Sequence, residues 1–218
     1  MIDFHTHTLF SDGELIPSEL VRRAVCQGYR AIGLTDHVDG SNLAHVIENI
    51  VRVAGDLNRY QECMVIPGVE ITHAPPEQIG RLVTEARRLG ALIVVVHGET
   101  IVEPVCPGTN QAAIHAKADI LAHPGLISEH DARLAADNGV RLEITSRGGH
   151  SLTNGHVAKL AMKMGALMSI DTDSHSPRDL ITREKAHNVL LGAGLGIEQA
   201  NMVMQMNNDL MLKIRALP

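Results

Sequence analysis

The sequence predicts an α/β barrel in which seven buried parallel strands alternate with helices. Three observations carry this prediction: short apolar runs recur along the 218 residues, amphipathic helical patterns lie between them, and no break in composition divides the chain. Continuous apolar runs are typical of strands buried on both faces, and alternating strands and helices are typical of a parallel sheet. We therefore expect a single domain, residues 1–218, that forms a closed or nearly closed barrel. An open doubly wound sheet is the alternative, although no predicted strand is followed by a G-x-G-x-x-G pattern.

Local patterns predict the individual elements. The strands are the apolar runs at residues 2–8, 31–37, 64–72, 91–98, 119–125, 141–146 and 166–175. Between them, the helical segments 17–28, 76–90 and 154–165 place apolar side chains three and four positions apart, as on one face of a helix. Glycine tolerates the left-handed conformation that ends a helix, and four predicted helices stop at a glycine directly before the next strand: Gly28, Gly90, Gly139 and Gly165.

Composition and charge argue against several classes of function. The net charge is −6, and no basic run or aromatic-rich basic strand indicates nucleic-acid binding. The 3 cysteines are widely spaced and form no C-x-x-C pair, which is typical of a reduced protein. Neither a signal peptide nor an apolar run long enough to span a membrane is visible. We therefore expect a cytoplasmic protein that acts on a small molecule, and the oligomeric state is left open.

The first predicted strand carries polar residues where apolar ones are expected. Asp3, His5 and His7 alternate within "DFHTHT", so they would share one face of the strand. Two imidazoles on one face can coordinate a single ion, because neutral histidine is a common metal ligand. In a parallel barrel the active site lies at the carboxyl ends of the strands, where His5 and His7 fall. The total of 13 histidines is also large for this length and hints at metal.

Every other predicted strand delivers a His, Asp or Glu near its carboxyl end. These residues are Asp36, His37, Glu70, His97, His123, Glu143, Asp171, Asp173 and His175. One buried histidine is more often a hydrogen-bonded core residue than a ligand, but repetition at all the strand ends favours a metal site. Asp3 and Asp36 could instead orient the ligands from behind them. Glu143 could instead pair with a cation near the rim.

Six sequence motifs link the chain to a known family. In chain order they are "HTHTLFSDG", "LTDH", "PGVEIT", "VVHG", "LAHPG" and "DTDSH". With these motifs the chain resembles, over nearly its whole length, the polymerase and histidinol phosphatase (PHP) family of metal-dependent phosphoesterases. The resemblance implies a distorted, TIM-like (β/α)7 barrel that binds two to three divalent ions. One departure is Asp171, where the family more often has a small residue.

The resemblance also implies which residues hold the ions. Grouped by ion, they are His5, His7, Glu70 and Asp173; then Glu70 as a bridge with His97 and His123; then Asp12, His37 and His175. Imidazoles combined with carboxylates suit zinc, manganese or iron better than calcium or magnesium. No position of the set is missing, so the sequence gives no sign of a decayed site.

Hydrolysis of a small phosphate monoester, such as histidinol phosphate or a nucleotide, is the activity that the resemblance implies. A metal cluster can lower the pKa of a bound water to near neutrality and so generate a hydroxide nucleophile. No G-x-S-x-G elbow supplies a nucleophile from the protein. Two alternatives stay open: an amidohydrolase-like enzyme that attacks a C–N bond, and a non-catalytic metal-binding regulatory module.

Arg147 and Arg178 are the predicted substrate-binding residues. Both follow ligand-bearing strand ends, and a guanidinium offers two parallel donors to a phosphate group. Each could equally be a solvated loop residue. His150 and Asp171 are the candidate catalytic residues, with His150 as a proton source for the leaving group. The longest strand-to-helix loop, residues 98–110, is expected to be an ordered rim loop rather than a helix.

Overall fold

In a computed structural model, which describes residues 1–217, the chain forms a nearly closed barrel with seven parallel strand positions, as predicted. The strand segments are β1 Ile2–Asp3, β2 Ala31–Leu34, β3 His37–Val38, β4 Met64–Ile71, β5 Ile93–His97, β6 Ile120–Ala122, β7 Arg141–Thr145 and β8 Met168–Asp171. β2 and β3 fill one position because both pair with β4. The alternative of an open doubly wound sheet is therefore wrong.

Helices surround the strands on the outside of the barrel. In the described part of the chain the α-helices are α1 Pro17–Cys26, α2 Leu43–Leu57, α3 Pro76–Arg88, α4 Thr109–His115, α5 Glu129–Asn138, α6 Asn154–Met164, α7 Arg183–Gly192 and α8 Ile197–Arg215. The predicted helical patterns are confirmed at α1, α3 and α6, and the four helix-ending glycines all have positive φ. No helix within residues 1–217 is long and apolar enough to cross a membrane.

Polar side chains, rather than a continuous ladder, close the seam between β8 and β1. The predicted first strand is wrong in its length, because only Ile2–Asp3 is paired with β2. Asp3 does not lie in the cluster with His5 and His7. Its carboxylate accepts hydrogen bonds from Thr172, from the backbone N–H at 3.1 Å and from the side-chain hydroxyl at 2.6 Å. In return, Asp171 accepts a hydrogen bond from the backbone N–H of Phe4 at 2.7 Å. The two carboxylates thus join the edges of the barrel.

Two further contacts complete this seam. Thr6 and Ser174 form an isolated parallel bridge beyond the end of β1. Below it, the side-chain amide of Asn207 on α8 donates to the carbonyl oxygens of Ile2 at 3.3 Å and Ile170 at 2.9 Å. The seam is therefore closed at three levels: by Asn207, by the carboxylates of Asp3 and Asp171, and by the bridge between Thr6 and Ser174. Continuous strand pairing after β1 is not needed to close the barrel.

The core has two apolar layers. The larger layer lies between the strands and the surrounding helices. The smaller one fills the barrel, where Ile66, Ile93 and Val95 pack with Leu210 and Ile214 of α8. Burying an aliphatic side chain of this size contributes about 1.5–3 kcal/mol. Because apolar residues fill the lower part of the barrel, its polar side chains are concentrated at the carboxyl ends of the strands.

Candidate metal centre

Five buried side chains converge at the carboxyl ends of the strands, and we call them the inner group: His5, His7, Glu70, His123 and Asp173. Nε2 of His5 lies 3.3 Å from Glu70 Oε2, and Nε2 of His7 lies 3.1 Å from Asp173 Oδ1. Nε2 of His123 lies 3.7 Å from Asp173 Oδ2. Donor atoms bound to one ion at about 2.0–2.2 Å lie roughly 3–3.6 Å apart, so most of these separations suit shared metal ions.

The inner group also contains buried polar atoms that make no hydrogen bond within residues 1–217. They are Nε2 of His5, both ring nitrogens of His7 and of His123, Oε1 of Glu70 and Oδ1 of Asp173. An unsatisfied buried polar atom costs about 1–3 kcal/mol, and a fold seldom tolerates several at one point. Divalent ions would satisfy Nε2 of His5, one nitrogen of each of the other two rings and both carboxylate oxygens, so the residues fit the metals that the sequence predicts.

The ionisation states of Glu70, His7 and His123 also suit metal binding. Burial alone would raise the pKa of Glu70, but His5 and His37 outweigh burial and hold that pKa well below its usual value. Burial, reinforced by neighbouring imidazoles, lowers the pKa of His7 and of His123 well below the usual histidine value. Glu70 is therefore a carboxylate and both histidines are neutral, which are the forms that bind metal.

Glu143 orients the inner group instead of pairing with a rim cation. Its Oε1 accepts a hydrogen bond from Nδ1 of His5 at 2.7 Å, and its Oε2 accepts one from the backbone N–H of His123 at 2.9 Å. Burial lowers the pKa of His5, but the carboxylates of Glu70, Glu143 and Asp173 more than reverse this and raise it. With Nδ1 held by Glu143, Nε2 of His5 points into the cluster.

Two members of the inner group have strained backbones. His123 has φ 27° and Asp173 has φ 52°, and non-glycine residues seldom adopt positive φ. Ala122 belongs to the apolar layer inside the barrel, so regular alternation would turn the next side chain outward. Because His123 adopts a positive φ, its side chain faces the barrel interior on the same side as that of Ala122. Such strain is typical of functional sites.

A second set of ligand-type side chains, the outer group, lies above the inner group: Asp12, His37 and His175. Oδ1 of Asp12 is 3.4 Å from Nε2 of His37 and 3.3 Å from Nε2 of His175. The ring of His7 stacks between the two histidines, with centroid distances of 4.1 Å and 4.2 Å. The side chain of Asp12 is 58% exposed, whereas that of Glu70 is 0% exposed.

Asp36 supports the outer group from behind. Its carboxylate accepts hydrogen bonds from the backbone N–H of Thr8 at 2.7 Å, from the Thr8 hydroxyl at 2.9 Å and from the Ser11 hydroxyl at 2.8 Å. These bonds fix the turn that carries Asp12. Asp36 is fully buried and contributes to the position of a ligand rather than to the ligand set itself.

His97 lies beside the inner group and contacts a residue that the sequence did not reveal. Its ring centroid is 4.5 Å from that of His123, but its Nε2 is 3.1 Å from Oε2 of Glu103. Glu103 also approaches His73 at 3.2 Å and His150 at 3.4 Å. The hydrogen bond with His97 lowers the pKa of Glu103 to about 2. Glu103 lies in the rim loop before α4, where no periodic pattern marks a functional residue.

The predicted substrate-binding arginines occupy different places. Arg147 lines the cavity above the metal centre, where its Nε lies 4.0 Å from Asp173 Oδ2 and its guanidinium donates to Asp179 at 3.2 Å. Asp179, which the sequence did not single out, also accepts hydrogen bonds from the backbone N–H groups of His175 and Ser176. Arg178 does not line this cavity; it lines a neighbouring one.

The two candidate catalytic residues also differ in position. His150 lines the cavity, with Nδ1 2.8 Å from the hydroxyl of Thr100 and Nε2 3.9 Å from Asp173 Oδ2. Asp171 is fully buried at the seam below the ligands and does not line the cavity. Burial and the nearby Glu143 raise the pKa of Asp171. The structure therefore brings His150, but not Asp171, to the surface that a substrate could reach.

The cavity itself is small and polar. It has a volume of about 480 Å³, and its lining contains no Phe or Tyr. It is lined by outer-group residues, by His97, Glu103, Arg147 and His150, and by the loop after β3. A cavity of this size and polarity suits a small hydrophilic molecule that reaches the ligand cluster from above.

Comparison with known proteins agrees with this geometry. The sequence pattern of the PHP domain matches residues 3–135. The uncharacterized protein MJ1295 of Methanocaldococcus jannaschii is 50% identical over 215 residues, which make up 97% of this chain and 99% of that protein. The 5'-3' exoribonuclease Rnm of Escherichia coli K12 is 41% identical over 70 residues, 32% of this chain and 22% of Rnm. A solved structure, the candidate histidinol phosphatase HisK of Listeria monocytogenes, has a TM-score of 0.61 at 12% identity and covers 85% of this chain and 99% of that chain.

Proposed function

The chain belongs to the PHP domain family, and on that premise we propose that it is a metal-dependent phosphoesterase that hydrolyses a small phosphate monoester. One observation carries the proposal. Unpartnered, buried donor atoms converge directly below a polar cavity of about 480 Å³, and the guanidinium of Arg147 reaches the same point. Anionic substrates with a compact polar body match this arrangement best.

We propose the nine ligands that the motifs predict. His5, His7, Glu70 and Asp173 would hold one ion, Glu70, His97 and His123 a second, and Asp12, His37 and His175 a third. The third set lies within reach of one ion, as do His5, His7 and Glu70 of the first, whereas the structure groups His97 and His123 with His150. The mixture of imidazole and carboxylate favours zinc, manganese or iron. Such ions, when bound, supply an activated water as the nucleophile and offset the charge of the phosphoryl oxygens.

The remaining residues of the cavity bind and orient the substrate. Arg147 is held by Asp179, so one edge of its guanidinium is fixed and the other is available to a phosphoryl oxygen. If the hydroxyl of Thr100 donates to Nδ1 of His150, Nε2 of His150 carries a proton toward the cavity. His150 is thereby placed to donate a hydrogen bond to the oxygen of the leaving group, and in its protonated form it would supply the proton. Asp171 lies too deep for this role, so we assign it to the support of the barrel seam.

Small-molecule substrates are preferred over polynucleotides. The name of Rnm describes action on RNA, but the likeness to Rnm covers only 32% of this chain. The net charge of −6 also disfavours a polyanion.

A substrate panel tests the proposal. Protein purified without chelator would be assayed for phosphate release from glycerol 1-phosphate, histidinol phosphate and nucleoside monophosphates. Parallel assays would use amides and a 5'-phosphorylated RNA. We expect monoester hydrolysis that a chelator abolishes and that manganese or zinc restores. Cleavage of amides alone would identify an amidohydrolase-like enzyme, and metal-loaded protein without any hydrolysis would favour a regulatory module.

A further inference from the structure

A second cavity opens beside the metal centre at the carboxyl ends of β7 and β8. It has a volume of about 360 Å³. Ser146 and Arg147 follow β7, Thr172 follows β8, and the segment from Arg178 to Lys185 closes the other side. None of the nine proposed metal ligands lines this cavity, so it is distinct from the cavity above the ions.

The second cavity is positively charged in a protein whose net charge is −6. Three cations, Arg147, Arg178 and Lys185, line it, against the single carboxylate of Asp179. That carboxylate is already committed, because it accepts hydrogen bonds from Arg147 and from two backbone N–H groups. Local charge of the opposite sign to the whole protein indicates a site for an anion.

Two of these cations have no partner in the described part of the chain. Neither Arg178 nor Lys185 forms an ion pair within 4.0 Å or a side-chain hydrogen bond, and the hydroxyl of Ser146 is likewise without a hydrogen bond. Two exposed cations and a hydroxyl around one cavity are therefore available to an oxyanion.

Arg147 connects the two cavities because it lines both of them. Its Nε faces Asp173 of the inner group at 4.0 Å, while its opposite edge faces Asp179 at 3.2 Å. A molecule that places one phosphate over the metal centre can therefore extend past Arg147 into the second cavity.

We infer that the second cavity binds a second acidic group of the substrate, a phosphate or a carboxylate, and so selects doubly acidic substrates. This inference rests on the proposed function for the identity of the first cavity. Arg178 and Lys185 bind the distal acidic group, Ser146 donates a hydrogen bond to it, and Arg147 lies between the two acidic groups. A monoester without a distal acidic group leaves Arg178 and Lys185 solvated.

Equilibrium binding tests the inference without requiring hydrolysis. Calorimetry on the manganese-loaded protein would compare phosphonoalkanoates with hydroxyalkylphosphonates of equal chain length. Phosphonates are used because neither class can be hydrolysed, and the comparison is repeated over a series of chain lengths. At the best chain length, we expect the carboxylate to lower the dissociation constant about tenfold, which corresponds to about 1.4 kcal/mol of binding free energy. A matching series of bisphosphonates would show whether the distal group is a phosphate or a carboxylate.

Variants identify the residues. Arg178→Ala and Lys185→Ala should each remove most of the advantage of the second acidic group and leave the hydroxyl compounds unaffected. Arg183→Ala is the matched control, because Arg183 is an exposed cation near Lys185 that does not line this cavity. Equal binding of the paired compounds by the parent protein, or an equal loss in all three variants, would overturn the inference. Chelator-sensitive phosphate release from the whole substrate panel, extended with a bisphosphate and a phosphorylated carboxylic acid, decides the proposed function separately, so the two can fail independently.

Discussion

The inner and outer groups use the same residue types, histidine and carboxylate, but the fold holds them in different ways. The inner group is almost completely buried, and Glu143 and strained backbone positions hold its side chains. The outer group is partly open to solvent, and its carboxylate, Asp12, belongs to a turn that Asp36 ties down. Burial makes the unpartnered atoms of the inner group costly without metal, whereas water can satisfy the outer group.

This difference implies two strengths of metal binding. An ion in the inner group removes the cost of several unsatisfied atoms, so part of its binding energy comes from the fold itself. An ion in the outer group replaces contacts with water and with neighbouring side chains. We therefore expect the inner ions to be retained through purification and the outer ion to exchange.

Glu70→Gln should give the largest effect, because Glu70 contacts both groups. Its Oε2 lies 3.3 Å from His5 Nε2 and 2.7 Å from His37 Nδ1. Loss of this charge should reduce inner-group metal affinity by more than about 100-fold, beyond what removal of a supporting residue costs. Elemental analysis would measure it, with Glu77→Gln on exposed α3 as the control. A variant with full metal content would remove Glu70 from its bridging position.

Glu143→Gln should weaken the inner group without touching the outer group. The change keeps the shape of the side chain but replaces the carboxylate that orients His5. We expect a fall in inner-group metal affinity of about 10–100-fold, the usual effect of removing such a partner. Competition with a chromogenic chelator would measure it. An equal loss of the outer ion would show that the two groups are not independent.

Asp12→Asn should release the outer ion alone. Asp12 is exposed and water can take its place, so the affinity for this ion should fall only roughly tenfold, no more than the loss of a supporting residue costs. Manganese titration of the dialysed protein should show this weaker affinity for the outer ion only, while the ions retained through dialysis and the thermal unfolding temperature stay constant. Loss of every ion in this variant would contradict the separation between the groups.

The sequence predicted the barrel and the strand-end residues because each depends on local pattern. "HTH", "VVHG" and "DTDSH" place histidine or aspartate beside an apolar run, and the structure brings these residues together. The partners in the rim loops were not predictable in this way. Glu103 and Asp179 lie in irregular segments, where no periodicity shows which way a side chain faces.

Long-range pairings were also out of reach of the sequence. The contact between His5 and Glu143 joins residues 138 positions apart, and nothing local distinguishes it from a contact with a rim cation. The error in the first strand has the same origin. Alternation predicts one face for Asp3 and the histidines, but Asp3 instead accepts a hydrogen bond from Thr172 across the seam.

Arg147→Ala should give the smallest of the effects and should spare both groups. Arg147 contacts Asp173 only at 4.0 Å, so metal content should remain intact. Its side chain is 31% exposed, which weakens any phosphate contact by solvent screening to about 1 kcal/mol. The Michaelis constant for a phosphate monoester should therefore rise about fivefold at an unchanged kcat. Arg147→Lys separates charge from geometry, since lysine keeps the charge but cannot hold Asp179 and the phosphate with parallel donors. If Arg147→Ala loses metal as well, the arginine stabilises the inner group through Asp173 instead of binding the substrate.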